Sequence, residues 1–495
     1  MLGALHGAVP GCSFLVTNAA AARRTPEALR HANEFLQRRG PDATSQVERN
    51  GVLFVHNLLS LTGVRTTQPF VDEAHSTVAL FNGEIYNWRE LGVDGATTDG
   101  HVLLPMYRRY GEDFAARLNG EFAIVVADFA RDRLMLSTDV FGTKPFYVAS
   151  NGTEWGVASY YSALLRLGLT RCTKNAQPRQ REDLRANAIQ IRQLSTFKLL
   201  DSITLHSFDL RQHKTQLDDW NAALRVAMER RAGSLQHGVF MGLSSGADSG
   251  VIALELSRMR VPHHVYSVRA TENVDVLRRR HAFLQETHCG CVVHPVITLA
   301  RAEYEEALAW AARHVEAYSY TTRSRHGMLL RDPGAIAMSH ICALSHQHGV
   351  RIYLSGAGAD EVYHDYGRIT SFPANLSTIY PWKTFRGLGE MRDYLRKEEL
   401  IAGGHGIETR YPLLDVDLVQ EFLWLDHAVK NRAPKHPLVA YMKGAGFPLQ
   451  TKKVGFWDRA WEHWTGKTIK NKSLVSRAEV ARWQCRTEDK VHLHR

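Results

Sequence analysis

Cysteine is scarce in this chain: six residues out of 495, at positions 12, 172, 289, 291, 342 and 485. Their spacing matches neither a disulfide framework nor a zinc motif, and the lone CxC pair at 289 and 291 is weak evidence of a metal. Scattered thiols in a long chain suit a reducing compartment, so a cytoplasmic location is expected. Long apolar runs are missing as well. None approaches the ~18 residues of a membrane span, and the opening MLGALHGAVPG lacks the basic start and apolar stretch of a secretory signal. Internal repeats are absent. So is any GxxxxGK[ST] loop, which excludes the P-loop nucleotide site.

What remains is an ordinary globular composition, 44% hydrophobic and 23% charged, long enough for two or three domains. The net charge is +10, and part of the excess is local: residues 451–495 carry eleven Lys/Arg against five Asp/Glu. No aromatic interleaving or helix-turn-helix pattern accompanies it, so a solvated basic face or an anion site is expected rather than a specific nucleic-acid partner.

Residues 12 to about 165 read as short strands. FLVT, VLFVHNLL, TVALFNGEI, EFAIVVADF, RLMLSTDV and KPFYVA are β-rich runs parted by turn clusters such as RRGPD and DVFGTK. One helix is predicted over PEALRHANEFLQRR, with leucine and phenylalanine on one face. Residues 171–215, polar and arginine-rich, read as a connector. From 216 onward, apolar strands such as HGVFMGL, HHVYSV and VRIYL alternate with helices at DSGVIALELSRMR and AIAMSHICALSHQHG. That alternation predicts a parallel sheet. The expected class is α+β followed by α/β.

The stretch FMGLSSGADSGV (240–251) runs from a strand into a helix through small residues. Their N–H groups and hydroxyls can cradle a phosphate chain at the helix N-terminus, where the backbone field favours anions. Asp248 can then hold Mg²⁺. A second strand-end loop, LSGAGADEVYHDYG (354–367), offers Asp360 and Glu361. Two such loops can face one ligand across a sheet crevice, with Asp248 and Asp360 sharing the metal on ATP or pyrophosphate. Lys453, in TKKVGFW, can supply positive charge for pyrophosphate.

These motifs resemble those of the glutamine-hydrolysing asparagine synthetases. SSGADS resembles the SGGxDS loop of ATP pyrophosphatases, LSGAGADE the family's LSGEGxDE, and GIETRYPLLD (406–415) its later xExRxPFLD segment. RRGPD, HNLLSLTG, QPF, FNGEIYN and DVFGTKPFYV follow the family's amino-terminal half in order, so the likeness covers roughly residues 12–460. It implies an N-terminal-nucleophile-type layered β-sandwich glutaminase domain over 12–170 and a connector over 171–215. A parallel-sheet ATP pyrophosphatase domain over 216–465 and a basic tail over 466–495 would follow. ATP would be lined by Leu243, Ser244, Ser245, Gly246, Ser249, Ser355 and Gly356, with Val268 near adenine.

CSFLV, from Cys12, matches the family's nucleophile start. The resemblance implies that the Cys12 thiol attacks the amide of glutamine, with its own freed α-amino group as base. Residues 1–11 would then be a propeptide. Asn82 and Gly83 would form the oxyanion hole, and Glu84 and Asp99 would meet the α-ammonium of glutamine. Two departures stand out. Leu58 replaces an arginine that grips the glutamine carboxylate, so either another basic residue takes over or glutamine binds weakly, with arginine there restoring it. Ala357 replaces a glutamate beside the acceptor, with water or Glu361 as its substitute. The implied reaction is ATP-dependent amidation of a carboxylate, aspartate by default. A different carboxylate, or a glutaminase-impaired protein that uses free ammonia or only binds ligand, remains open. The partners expected are small molecules, with neither a specific nucleic acid nor a membrane, and a homodimer is open.

Overall fold

The computed structural model describes residues 12–20, 23–61, 65–170, 182–233, 238–269, 272–287, 290–320, 328–385 and 390–450. The expectations placed on the first eleven residues, on Lys453 and on the basic tail fall outside them.

The β-branched and aromatic runs form β1 (Cys12–Thr17), β2 (Ala43–Arg49), β3 (Val52–Leu58), β4 (Phe70–Asp72), β5 (Thr77–Ile85) and β6 (Gly120–Asp128). They continue as β7 (Arg133–Thr138), β8 (Tyr147–Ser150), β9 (Trp155–Ala158), β10 (Glu182–Asp183), β11 (Ala188–Gln193) and β12 (Leu199–Thr204). Two antiparallel sheets result, in the orders β10-β8-β9-β1-β3-β2 and β12-β11-β7-β6-β5-β4. Phe14, Val16, Phe54, Leu80, Val125, Leu136, Phe146 and Trp155 fill the space between them. Each such side chain contributes on the order of 1.5–3 kcal/mol by leaving water. The α+β layered sandwich is as expected.

Two expectations need correction. Residues 188–204 are not connector: β11 lies against β7 and carries β12 as the outer strand of the second sheet. Ile189 and Ile191 are buried while β12, the sheet edge, is almost wholly exposed. The helix predicted over 26–39 is two helices, Pro26–Ala32 and Glu34–Arg39. The break falls at Asn33, whose side-chain amide exchanges hydrogen bonds of 2.9 and 2.7 Å with that of Asn57 on β3.

The carboxy-terminal half holds a parallel sheet of β13 (Val239–Gly242), β14 (His263–Tyr266), β15 (Cys291–Val293), β16 (Ile352–Leu354) and β17 (Glu408–Arg410). Its order is β15-β14-β13-β16-β17. The chain therefore builds outward in one direction from β13 and in the other from β16. Between these strands lies the switch point, where open parallel sheets place ligands outside the carboxyl ends.

The two halves share a core. Leu15, Leu53 and Val55 from the first sheet pack in one cluster with Phe240, Tyr266, Ile336 and Leu400 of the α/β half. Among the described residues, no helix is long and apolar enough to cross a membrane.

Candidate functional site

Cys12 opens β1 at the seam between the two antiparallel sheets, fully buried. Its N–H donates to Asn82 Oδ1 at 3.3 Å, and its thiol points at the Phe81 carbonyl oxygen, 2.9 Å away. Gln68 spans the gap: its Oε1 accepts from the Phe81 N–H at 2.8 Å, and its Nε2 lies 3.7 Å from Sγ. Asn82 Nδ2 is buried with no hydrogen-bond partner among the described residues, a donor free to meet a developing oxyanion. Gly83 follows at φ +131°, where a Cβ would fall 1.8 Å from the Glu121 carbonyl oxygen. Only glycine lets β5 pass β6 there. Burial pushes the Cys12 thiol well above its ordinary value, and Glu408 and Asp99 add to this against Arg39. A buried thiol of this kind needs a base to become a nucleophile.

The residues expected to hold the α-ammonium are engaged. Asp99 accepts from the Ile85 N–H at 3.0 Å and the Gly100 N–H at 2.8 Å. Glu84 Oε1 takes a 2.6 Å charge-assisted bond from Arg410, while its Oε2 is buried without a partner. Burial holds Glu84 well above the ordinary carboxylate range against the pull of Arg410. Leu58 sits directly opposite Cys12 on β3 and packs in a buried cluster with Ala79, Phe81 and Phe122. That apolar setting reverses the expectation for arginine here: it would enter as an unpaired buried charge.

A ladder of buried charges leads from Cys12 into the other half. Arg39 Nε donates to the Cys12 carbonyl at 3.1 Å, and its guanidinium is paired with Glu399. Glu399 also holds Lys144 at 3.0 Å, and Arg231 bridges Glu121 at 2.6 Å and Asp415 at 2.8 Å. None of these links is visible in sequence, because each joins residues far apart in the chain.

At the switch point, a cavity of about 520 Å³ lies between the loops after β13 and β16. Leu243, Ser244, Asp248, Ser249, Val268, Ser355, Gly356, Ala357 and Asp360 line it, as do Glu361 and Glu398. Ser245 turns instead to Glu272, which accepts from its N–H at 2.6 Å and from its hydroxyl at 2.5 Å. Gly246 donates to Ser244 Oγ at 3.0 Å, so both shape the loop rather than the cavity wall. Arg280 braces this turn from beneath, donating to the carbonyls of Ser244 (2.6 Å) and Gly246 (2.8 Å). The loops nearly touch: a Cβ on Gly356 would lie 3.0 Å from the Asp248 backbone.

Asp248 and Asp360 converge on a single cationic centre. Lys435 Nζ lies 2.6 and 2.8 Å from the two Asp248 oxygens and 2.8 Å from Asp360 Oδ1. Burial alone would lower this ammonium, but the two carboxylates outweigh it and hold it above its ordinary value. Asp248 and Asp360 offer oxygen donors of the kind Mg²⁺ takes, and the Lys435 ammonium sits between them, where an ion shared by both would bind. Lys435, missed in the sequence, has no motif around it; only its ion pairs with Asp248 and Asp360 reveal it.

Glu361 accepts from the Gly358 N–H at 2.9 Å and from the Tyr366 hydroxyl, so both oxygens are occupied. Glu398, also missed, has a buried Oε2 without a hydrogen-bond partner among the described residues. Burial pushes it up to about 7, against Lys397 and a hydrogen bond from Ser355.

Residues 12–205 match the family model of a glutamine amidotransferase domain, and residues 219–392 match that of asparagine synthase. The chain belongs to the asparagine synthetase family. Its halves are a glutaminase domain and an ATP-dependent carbon–nitrogen ligase domain. A probable glutamine-hydrolysing asparagine synthetase of Acanthamoeba polyphaga mimivirus is 26% identical over 79% of this chain and 74% of its own. Asparagine synthetase B of Escherichia coli is 24% identical over 77% and 69%. Among solved structures, the glutamine phosphoribosylpyrophosphate amidotransferase of B. subtilis aligns over 94% of this chain and 99% of its own. Its TM-score is 0.29, at 13% identity.

Proposed function

We propose that the chain is a glutamine-dependent amide ligase that adenylates a carboxylate with ATP, L-aspartate by default, and amidates it with ammonia from glutamine. The observation that carries this reading is the convergence of Asp248 and Asp360, from the two switch-point loops, on one cationic centre. In the first half-reaction a carboxylate oxygen of the acceptor attacks the α-phosphorus, and the P–O bond to pyrophosphate breaks. The hydroxyls of Ser244, Ser249 and Ser355 orient the phosphates, and Val268 packs beside the base. Mg²⁺, held by Asp248 and Asp360, would neutralise phosphate oxygens. Lys453 is the residue assigned to the departing pyrophosphate by likeness of sequence, and Lys435 adds a fixed positive charge behind Asp248 and Asp360.

In the glutaminase half, Cys12 Sγ attacks the glutamine amide carbon, Asn82 Nδ2 with the Gly83 N–H stabilises the oxyanion, the C–N bond breaks to release ammonia, and water hydrolyses the thioester to glutamate. The base is the α-amino group freed when residues 1–11 are removed. Ammonia then attacks the acyl carbon, the C–O bond to AMP breaks, and the nitrogen must lose a proton. Glu398 is better placed than Glu361 to take it, because Oε2 has no competing donor. It stands in for the carboxylate absent at Ala357.

Pyrophosphate release with a panel of carboxylates, with the amide identified by mass, tests the reading. Release that depends on a carboxylate and yields its amide supports it; release with none of them refutes it. Ala357 on the cavity wall favours a second reading, in which the acceptor is bulkier than aspartate. Efficient asparagine formation with no better acceptor in the panel removes that alternative.

A further inference from the structure

Away from both catalytic centres, three histidines meet at the far end of the parallel sheet. His264 is the second residue of β14, His294 directly follows β15, and His348 caps the Pro333–Gln347 helix ahead of β16. One ring nitrogen from each lies within 4.8 Å of the other two. His294 Nε2 and His264 Nδ1 are already 3.1 Å apart. The ring centroids stand 5.0–5.3 Å from one another.

We infer that His264, His294 and His348 form a site for a divalent transition-metal ion of the zinc type. Three imidazoles without a thiolate or carboxylate among them suit zinc, copper or nickel rather than Mg²⁺ or Ca²⁺. Nitrogens bound tetrahedrally at about 2.0–2.1 Å sit about 3.3–3.4 Å apart. The 3.1 Å pair therefore needs almost no movement, and the third ring needs roughly an ångström. The backbones are fixed beforehand. His264 pairs with Val292 on β15, the His294 N–H donates to the Val265 carbonyl at 3.0 Å, and the His348 N–H closes its helix on Leu344.

Tyr266 supplies the outer support that metal-bound histidines usually have. Its hydroxyl is 2.7 Å from His348 Nδ1, and its ring stacks on His294 at 4.3 Å. The same tyrosine lines the nucleotide cavity. An ion here ties β14, β15 and the approach to β16 together and holds one wall of that cavity in place. Its role is structural, and solvent or an exogenous ligand completes the coordination.

The test uses the full-length protein, stripped with chelator and titrated with Zn²⁺ against a chromogenic competitor. With 25 histidines in the chain, stoichiometry and spectrum decide rather than binding alone. The wild type should take one tight equivalent and gain thermal stability from it. His348→Asn and His294→Asn should each weaken that equivalent at least tenfold, while circular dichroism of the metal-free proteins stays unchanged. Co²⁺ should give visible d–d bands without a thiolate charge-transfer band. Full retention of the tight equivalent in both variants, a thiolate band, or no tight equivalent in the wild type overturns the inference.

Discussion

Glu398→Gln separates a charge from a shape at the centre of the ligase cavity. The wild-type carboxyl is raised from 4.5 to about 7, chiefly by burial. At about 1.4 kcal/mol per pH unit, ionised Glu398 costs the folded state up to about 3 kcal/mol. Water entering the cavity screens part of this, so the figure is an upper bound. Below 4.5 the group is protonated in both the folded and unfolded chain and costs nothing. Between 4.5 and about 7 the unfolded chain ionises while the folded chain resists, so stability is lost as pH rises, and the loss is complete above 7. Glutamine cannot ionise. The variant should match the wild type near pH 5 and exceed it in urea midpoint at pH 8.5. Amide formation should move the other way. Ammonia-dependent synthesis should fall about 10²–10⁴-fold, the usual worth of a positioned base, while adenylation, read as pyrophosphate release, persists. In the wild type, synthesis at constant free ammonia should rise with pH through about 7. Parallel pH profiles for the two proteins, in both stability and synthesis, would refute the assignment.

Asp248→Asn and Asp360→Asn should each abolish ATP-dependent pyrophosphate release and leave glutamine hydrolysis within about twofold, measured as glutamate formed. Mass spectrometry of the active enzyme should show a chain beginning at Cys12. Cys12→Ala should lose the glutamine-dependent reaction but keep the ammonia-dependent one; activity in a chain that retains residues 1–11 would exclude the terminal amine as base. Leu58→Arg should lower the urea midpoint sharply, because an unpaired buried charge costs several kcal/mol; a stable variant with a lower KM for glutamine would show that the buried cluster opens. Gly83→Ala should eliminate glutaminase activity, since its Cβ would collide with a carbonyl 1.8 Å away; normal turnover would remove Gly83 from the oxyanion hole.

The two catalytic loops were legible because their chemistry is local. Small residues, a carboxylate and a helix start occur within a few positions, and neighbouring apolar runs fix them at strand ends. Cys12 and Asn82 were legible only through family likeness, since nothing nearby in sequence joins β1 to β5. Lys435 and Glu398 were illegible for a different reason: Glu398 sits on an ordinary-looking helix and Lys435 in the turn ahead of one, and each acquires meaning only from where it packs. Glu84 was named from the family likeness, but its pairing with Arg410 of the other half was not visible. Residues 188–204 were misread because β12 is short and almost wholly exposed and the segment follows a polar, arginine-rich run.

The buried charge ladder bears on how such a protein can change over generations. Arg39, Lys144 and Glu84 lie on one side of the domain boundary, and their counter-ions Glu399 and Arg410 lie on the other, all but removed from solvent. Neither half is a finished module. Recombination at the segment joining them would strand several unpaired charges in each hybrid, at a cost of several kcal/mol apiece. A foreign glutaminase half could be accepted only if matching acids and bases arrived with it. The two halves would then be inherited as one unit, whereas residues of the switch-point cavity outside the ladder, such as Ala357, can change without stranding a charge.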